Sequence, residues 1–76
     1  MNKARRSLLS EAASLLDKAS EMIDTARDQE QDCLDNMPEN LEGSDKYIKM
    51  EDAIDYMGEA IDSIEEARER IEAAIQ

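Results

Sequence analysis

From Leu8 onward the apolar residues of this chain recur at alternating spacings of four and three. The text divides into seven-residue blocks: LLSEAAS, LLDKASE, MIDTARD and QEQDCLD. With Ala12 at heptad position a, Ala19, Ala26 and Cys33 share that position. Leu8, Leu15 and Met22 then occupy d, and Leu9, Leu16 and Ile23 occupy e. A second array begins at Met50 and reads MEDAIDY, MGEAIDS, IEEARER, IEAAIQ. Its columns are Met50, Met57, Ile64, Ile71; then Ile54, Ile61, Arg68, Ile75; then Ala53, Ala60, Ala67, Ala74. This period belongs to amphipathic helices. The absence of Val and Phe, and the scarcity of turn residues within each array (Gly58 is the one glycine), favours helix over strand.

Between the arrays lies NMPENLEGSD. Pro38 blocks simple continuation of a helix and drives Met37 towards an extended conformation. Gly43 followed by Ser44 reads as a break and then an N-cap. Met37 and Leu41 are apolar and are expected to fold over the end of the core. The prediction is therefore all-α: helices over about 3–36 and 45–75, a hinge over 36–45, and one domain over 1–76. At ~1.5 Å per residue each helix is close to 50 Å long. Matched lengths and a short connection give an antiparallel two-helix hairpin.

Each helix carries three apolar columns, the broad stripe of a bundle helix rather than the a/d seam of a two-stranded coil. One neighbour cannot cover that stripe. Two hairpins pairing into a four-helix bundle with two-fold symmetry would cover it. The alternative is a monomer whose third column, mostly Ala, exposes little apolar area. Dimer and core positions on this reading are Leu8, Leu15, Leu16, Met22, Ile23, Ile54, Met57, Ile61, Ile64 and Ile71.

Charge adds a second pattern. The chain holds 20 Asp and Glu against 9 Lys and Arg, with no His, for a net charge of −11. Residues 1–37 carry 8 acids and 5 bases, and residues 38–76 carry 12 acids and 4 bases. In the second helix Asp52, Asp55, Glu59, Asp62, Glu66 and Glu69 follow each other at three and four, forming one carboxylate line away from the core. The first helix has a similar line through Asp17, Glu21, Asp24 and Asp28, then Asp32 or Asp35. Lys3, Arg5 and Arg6 cluster at the opposite end from the hinge. Acids at Glu65, Glu69 and Glu72 are expected to face those bases, and Glu66 is expected to pair with Arg70.

This balance argues against a direct grip on phosphate backbones. It suits a rod presented to a basic protein partner. Successive carboxylates stand ~5–6 Å apart on a helix, close to the spacing of phosphates along a nucleic-acid strand. A nucleic-acid mimic that blocks a DNA-binding or defence protein is therefore an alternative, and so is a structural or assembly accessory. The plain alternative to both is a solvated face that keeps a small protein soluble.

Enzymatic chemistry finds little footing. There is no His, and no Ser in a nucleophile motif. One Cys cannot make an internal disulfide. Cys33 falls at an a position and reads as a core residue. No metal site and no cofactor are expected: the hinge acids lack the order of a calcium loop, and a diiron bundle needs His. No stretch approaches the ~20 apolar residues of a membrane span.

The densest non-repetitive text runs from Glu30 to Asp55. Its Glu30-Gln31, Asp35-Asn36-Met37-Pro38-Glu39, Leu41, Ser44 and Met50–Asp55 resemble a recurring segment of short, acidic, uncharacterised proteins of bacteriophages and mobile elements of Gram-positive bacteria. The resemblance implies a genetic context and a bacterial cytoplasm, and no mechanism. It draws attention to Asn36, Pro38, Glu39 and Asn40, which are either a binding tip or caps that hold the hairpin.

Overall fold

The computed structural model describes all 76 residues. Helix α1 spans Lys3–Asp35 and helix α2 spans Asp45–Ile75, with a single 3-10 turn at Glu39–Leu41 between them. The two helices pack antiparallel into a rod of 59 × 15 × 13 Å.

The ends of the helices are set by local hydrogen bonds. Asn2 stands outside α1 in an extended conformation, and its Oδ1 accepts from Arg5 N at 2.8 Å. This satisfies one of the backbone donors that a helix start leaves unpaired. At the other end Asn36 donates to the Asp32 carbonyl from its own backbone N (3.1 Å) and from Nδ2 (2.8 Å). Pro38 then lies extended at φ −58, ψ 143. Its carbonyl accepts from Leu41 N at 2.9 Å, and that of Glu39 accepts from Glu42 N at 3.1 Å. Gly43 reverses the chain at φ +80, a left-handed conformation that side chains penalise. Ser44 caps α2, its Oγ accepting from Tyr47 N at 3.3 Å. The 3-10 turn is absent from the sequence prediction, because three residues carry no periodicity to detect.

The core is thin. Only Ala13 is buried, at 7% exposure, and no large side chain is fully enclosed. The face of α1 turned towards α2 runs through half-buried Leu9, Ala12, Leu16, Ala19, Ile23 and Leu34, with Ser20, Arg27 and Glu30 interleaved, and half-buried Met37 follows it in the hinge. From α2 it meets Tyr47, Met50, Ile54, Met57, Ile61, Ile64, Ile71 and Ile75. The e column of α1 is thus covered. The d column is not: Leu8, Leu15 and Met22 stand 67%, 62% and 65% exposed. Covered residues extend instead to Ala13 and Leu34, which belong to none of the three predicted columns. One facing helix reaches only one flank of the stripe.

Cys33, expected in the core, is exposed. It borders an apolar hollow with Met37, Pro38, Leu41 and Met50 at the hinge. Ala26, Cys33 and Met57 line the same side of the rod further along. The opposite groove is polar, lined by Asp17, Ser20, Glu21 and Asp24 beside Ile61, and further along by Glu65, Arg68 and Glu72. No helix is long and apolar enough to cross a membrane.

Candidate functional site

The α2 carboxylates are positioned by helical geometry alone. Asp52, Asp55, Glu59, Asp62, Glu66 and Glu69 are all exposed. They run for ~26 Å along the rod at ~1.5 Å per residue. None of them belongs to an ion pair: the ion pairs of the chain are Arg27–Asp24, Arg68–Asp17 and Arg68–Glu72. Arg70 does not reach Glu66, and Arg5 and Arg6 do not reach Glu65, Glu69 or Glu72. Long side chains at an exposed helix end gain too little from such pairs to hold one rotamer.

Those three pairs separate the two acidic lines. Asp17 and Asp24, which stood in the outer line of α1, are both engaged by arginines. Arg27 Nη2 lies 2.6 Å from Asp24 Oδ1. Its other terminal nitrogen passes over Gly58, where an added Cβ would stand 3.6 Å from it. Arg68 takes the isoleucine column of α2 and resolves there by pairing across the hairpin: its Nε lies 2.5 Å from Asp17 Oδ1, and Nη1 donates to Glu72 of its own helix. The contact with Asp17 is a charge pair linking the two helices. Interaction with Asp17, then with Glu72, raises the Arg68 pKa above the ordinary guanidinium value. The α2 line therefore remains wholly acidic, while the α1 line is interrupted.

The hinge residues Asn36, Pro38, Glu39 and Asn40 are all exposed. Three of them are committed to closing the turn: Asn36 through its cap, and Pro38 and Glu39 through their carbonyls. The side chains of Glu39 and Asn40 make no hydrogen bond within the chain and face solvent. Nearby, Tyr47 is half-buried. Desolvation first, and then the charges of Glu51, Glu42 and Asp35, push its phenol above the ordinary value. Tyr56 projects from the rod at 69% exposure.

Of the dimer and core set, Leu16, Ile23, Ile54, Met57, Ile61, Ile64 and Ile71 are half-buried within the hairpin, and Leu8, Leu15 and Met22 are open. The engagement of Asp17 and Asp24 was not read from the sequence. Arg27 three residues after Asp24 was the one available signal. No three His, Cys, Asp or Glu are grouped to hold a metal ion. No known family model matches this chain, and no curated protein or solved structure is significantly similar to it.

Proposed function

We propose that this chain is a non-enzymatic interaction protein that pairs with itself into a four-helix bundle and presents the α2 carboxylate line to a basic protein partner. The observation that supports this is the run of six exposed carboxylates with no ion pair among them. Like charges at these spacings each cost a few tenths of a kcal/mol, so the line is maintained against helix stability. An ordinary solvated face is better served by mixed signs. The resemblance of Glu30–Asp55 to phage and mobile-element proteins supports a setting in a bacterial cytoplasm, where a basic partner would be a host protein.

A second reading is favoured by the regularity of the line. Its ~5–6 Å steps make it a mimic of a nucleic-acid strand for a DNA-binding or defence protein. Affinity capture from a Gram-positive lysate at low and high salt tests the first reading. A basic protein should be retained at low salt and released steeply as salt rises. The variant Asp52→Asn/Asp55→Asn/Glu59→Gln/Asp62→Asn should lose it. Competition by duplex DNA for the captured protein would select the mimic reading. Binding that survives the fourfold variant and is lost on changing Asn36 and Asn40 would overturn both.

A further inference from the structure

We propose that the side of the rod carrying Leu8, Leu15, Met22, Ala12, Ala19 and Ala26 docks on the same side of a second copy, with the two hinges at opposite ends. The proposal rests on the self-pairing above and adds its face and its sense.

Area comes first. The chain exposes 5823 Å². A compact protein of this mass exposes about 4,700 Å². The excess, about 1,100 Å², is more than the ~800 Å² per partner that a stable interface covers. The excess reflects a single layer of two helices, where domains need two layers to bury their stripes. Three of the open large apolar side chains form one column on α1, while Ile48 and Tyr56 open singly on α2. Leu8, Leu15 and Met22 share a column, flanked by half-buried Ala12 and Ala19 and exposed Ala26, and continued by exposed Cys33 beside half-buried Met57. The other groove is lined by acids and Arg68 and offers no such surface.

Charge then selects the sense. Residues 20–60, the hinge half, carry 13 acids and 3 bases, net −10. The remaining residues, at the terminal half, carry 7 acids and 6 bases, net −1. Hinges at the same end would set −10 against −10 within about one Debye length. Hinges at opposite ends set the hinge half against Lys3, Arg5 and Arg6 of the partner subunit. The columns accept this arrangement. With Ala19 on the two-fold axis, Ala12 lies level with Ala26 of the partner subunit, and Leu15 lies within one residue, ~1.5 Å along the axis, of Met22 of the partner subunit. The α2 carboxylates stay on the outside of the bundle.

The native chain has one thiol, Cys33, which is exposed and can carry a spin label. In the proposed dimer Cys33 lies fourteen residues from the axis, so the two labels stand about 42 Å apart along the rod. With hinges together they would be separated only by helix packing distances, under about 20 Å. Sedimentation equilibrium should give twice 8.6 kDa, and pulsed dipolar spectroscopy of the labelled chain the long distance. The Leu15→Glu/Met22→Glu variant should sediment as a monomer. If that variant unfolds, the label distance in the otherwise native chain still decides. A monomer at all concentrations overturns the self-pairing itself. A dimer with the short distance overturns only the sense, and a dimer that persists in a folded Leu15→Glu/Met22→Glu variant overturns only the face.

Discussion

The side of α1 and the outer face of α2 are both open to solvent, and they are opposites. One presents Leu8, Leu15 and Met22 bare among alanines. The other presents six carboxylates without a counter-charge. Burial of the first would be favourable at about 25 cal/mol per Å². Burial of the second without cations would be costly. The same heptad text thus gives one surface that gains by leaving water and one that loses by it, which is the physical basis of the two proposed contacts. Exposure alone does not distinguish them; the cost of desolvation does.

The largest effect should come from breaking the contrast between covered and open leucines. Leu16→Ala removes a side chain packed against α2 and should cost about 2 kcal/mol. Leu15→Ala, one residue away, removes a side chain that the hairpin itself barely covers. On the proposed self-pairing, the parent's Tm rises with protein concentration and that of Leu15→Ala should not. Thermal unfolding across a hundredfold concentration range separates the two. Equal losses with equal concentration dependence would erase the distinction between the columns.

Next in size is the acidic face. Asp52→Asn/Asp55→Asn/Glu59→Gln/Asp62→Asn should stabilise the chain by about 1 kcal/mol at low salt, through relief of repulsion at three and four residues. The gain should vanish at 1 M salt, where the Debye length is about 3 Å. Denaturant unfolding at both salts measures it. A fourfold variant no more stable than the parent would mean that the line carries no internal strain.

The α1 line offers a smaller contrast. Asp17→Asn should cost about 0.5 kcal/mol, the scale of an exposed pair, since it removes the cross-hairpin partner of Arg68. The loss should fade with salt, opposite in sign to the α2 result. A gain in stability on Asp17→Asn would place Asp17 with the α2 carboxylates after all.

The smallest effect is at Tyr47. Its phenol is raised in the folded chain by desolvation and by Glu51, Glu42 and Asp35. The native state therefore disfavours the phenolate. That contribution to stability is fully present below the unfolded phenol pKa, about 10, and is lost as pH rises through the higher native value. In a Tyr56→Phe background, phenolate absorbance should titrate at higher pH in the folded than in the unfolded chain. Coincident titrations would remove the effect.

The two helices and their hinge were legible because each signal was local. Apolar spacing gave the helices, Pro38 the interruption, and Gly43-Ser44 the restart. Which flank of the α1 stripe meets α2 was not legible. Positions a, d and e are all apolar, and only the facing helix decides which are covered. Hence Ala13, outside every predicted column, became the most buried residue, and Cys33, inside one, stayed exposed. The outer line of α2 was readable because nothing interrupts it. The interruption of the α1 line is not legible in the sequence, because the cation that engages Asp17 is fifty-one residues away in the chain.

The hinge has a consequence for how the helices find their alignment. Two heptad arrays that slide by seven residues still match column to column, so their apolar contacts carry little information about which alignment is correct. That information sits in the polar stops: Asn36 ending α1, Gly43 at φ +80, and Ser44 opening α2. A slide of one heptad would have to dissolve one of these caps. The long helices supply attraction without an address, and a few hinge residues of small individual energy supply the address. If the hinge were straightened, the same arrays would satisfy each other between chains, and exchange of helices between copies would follow.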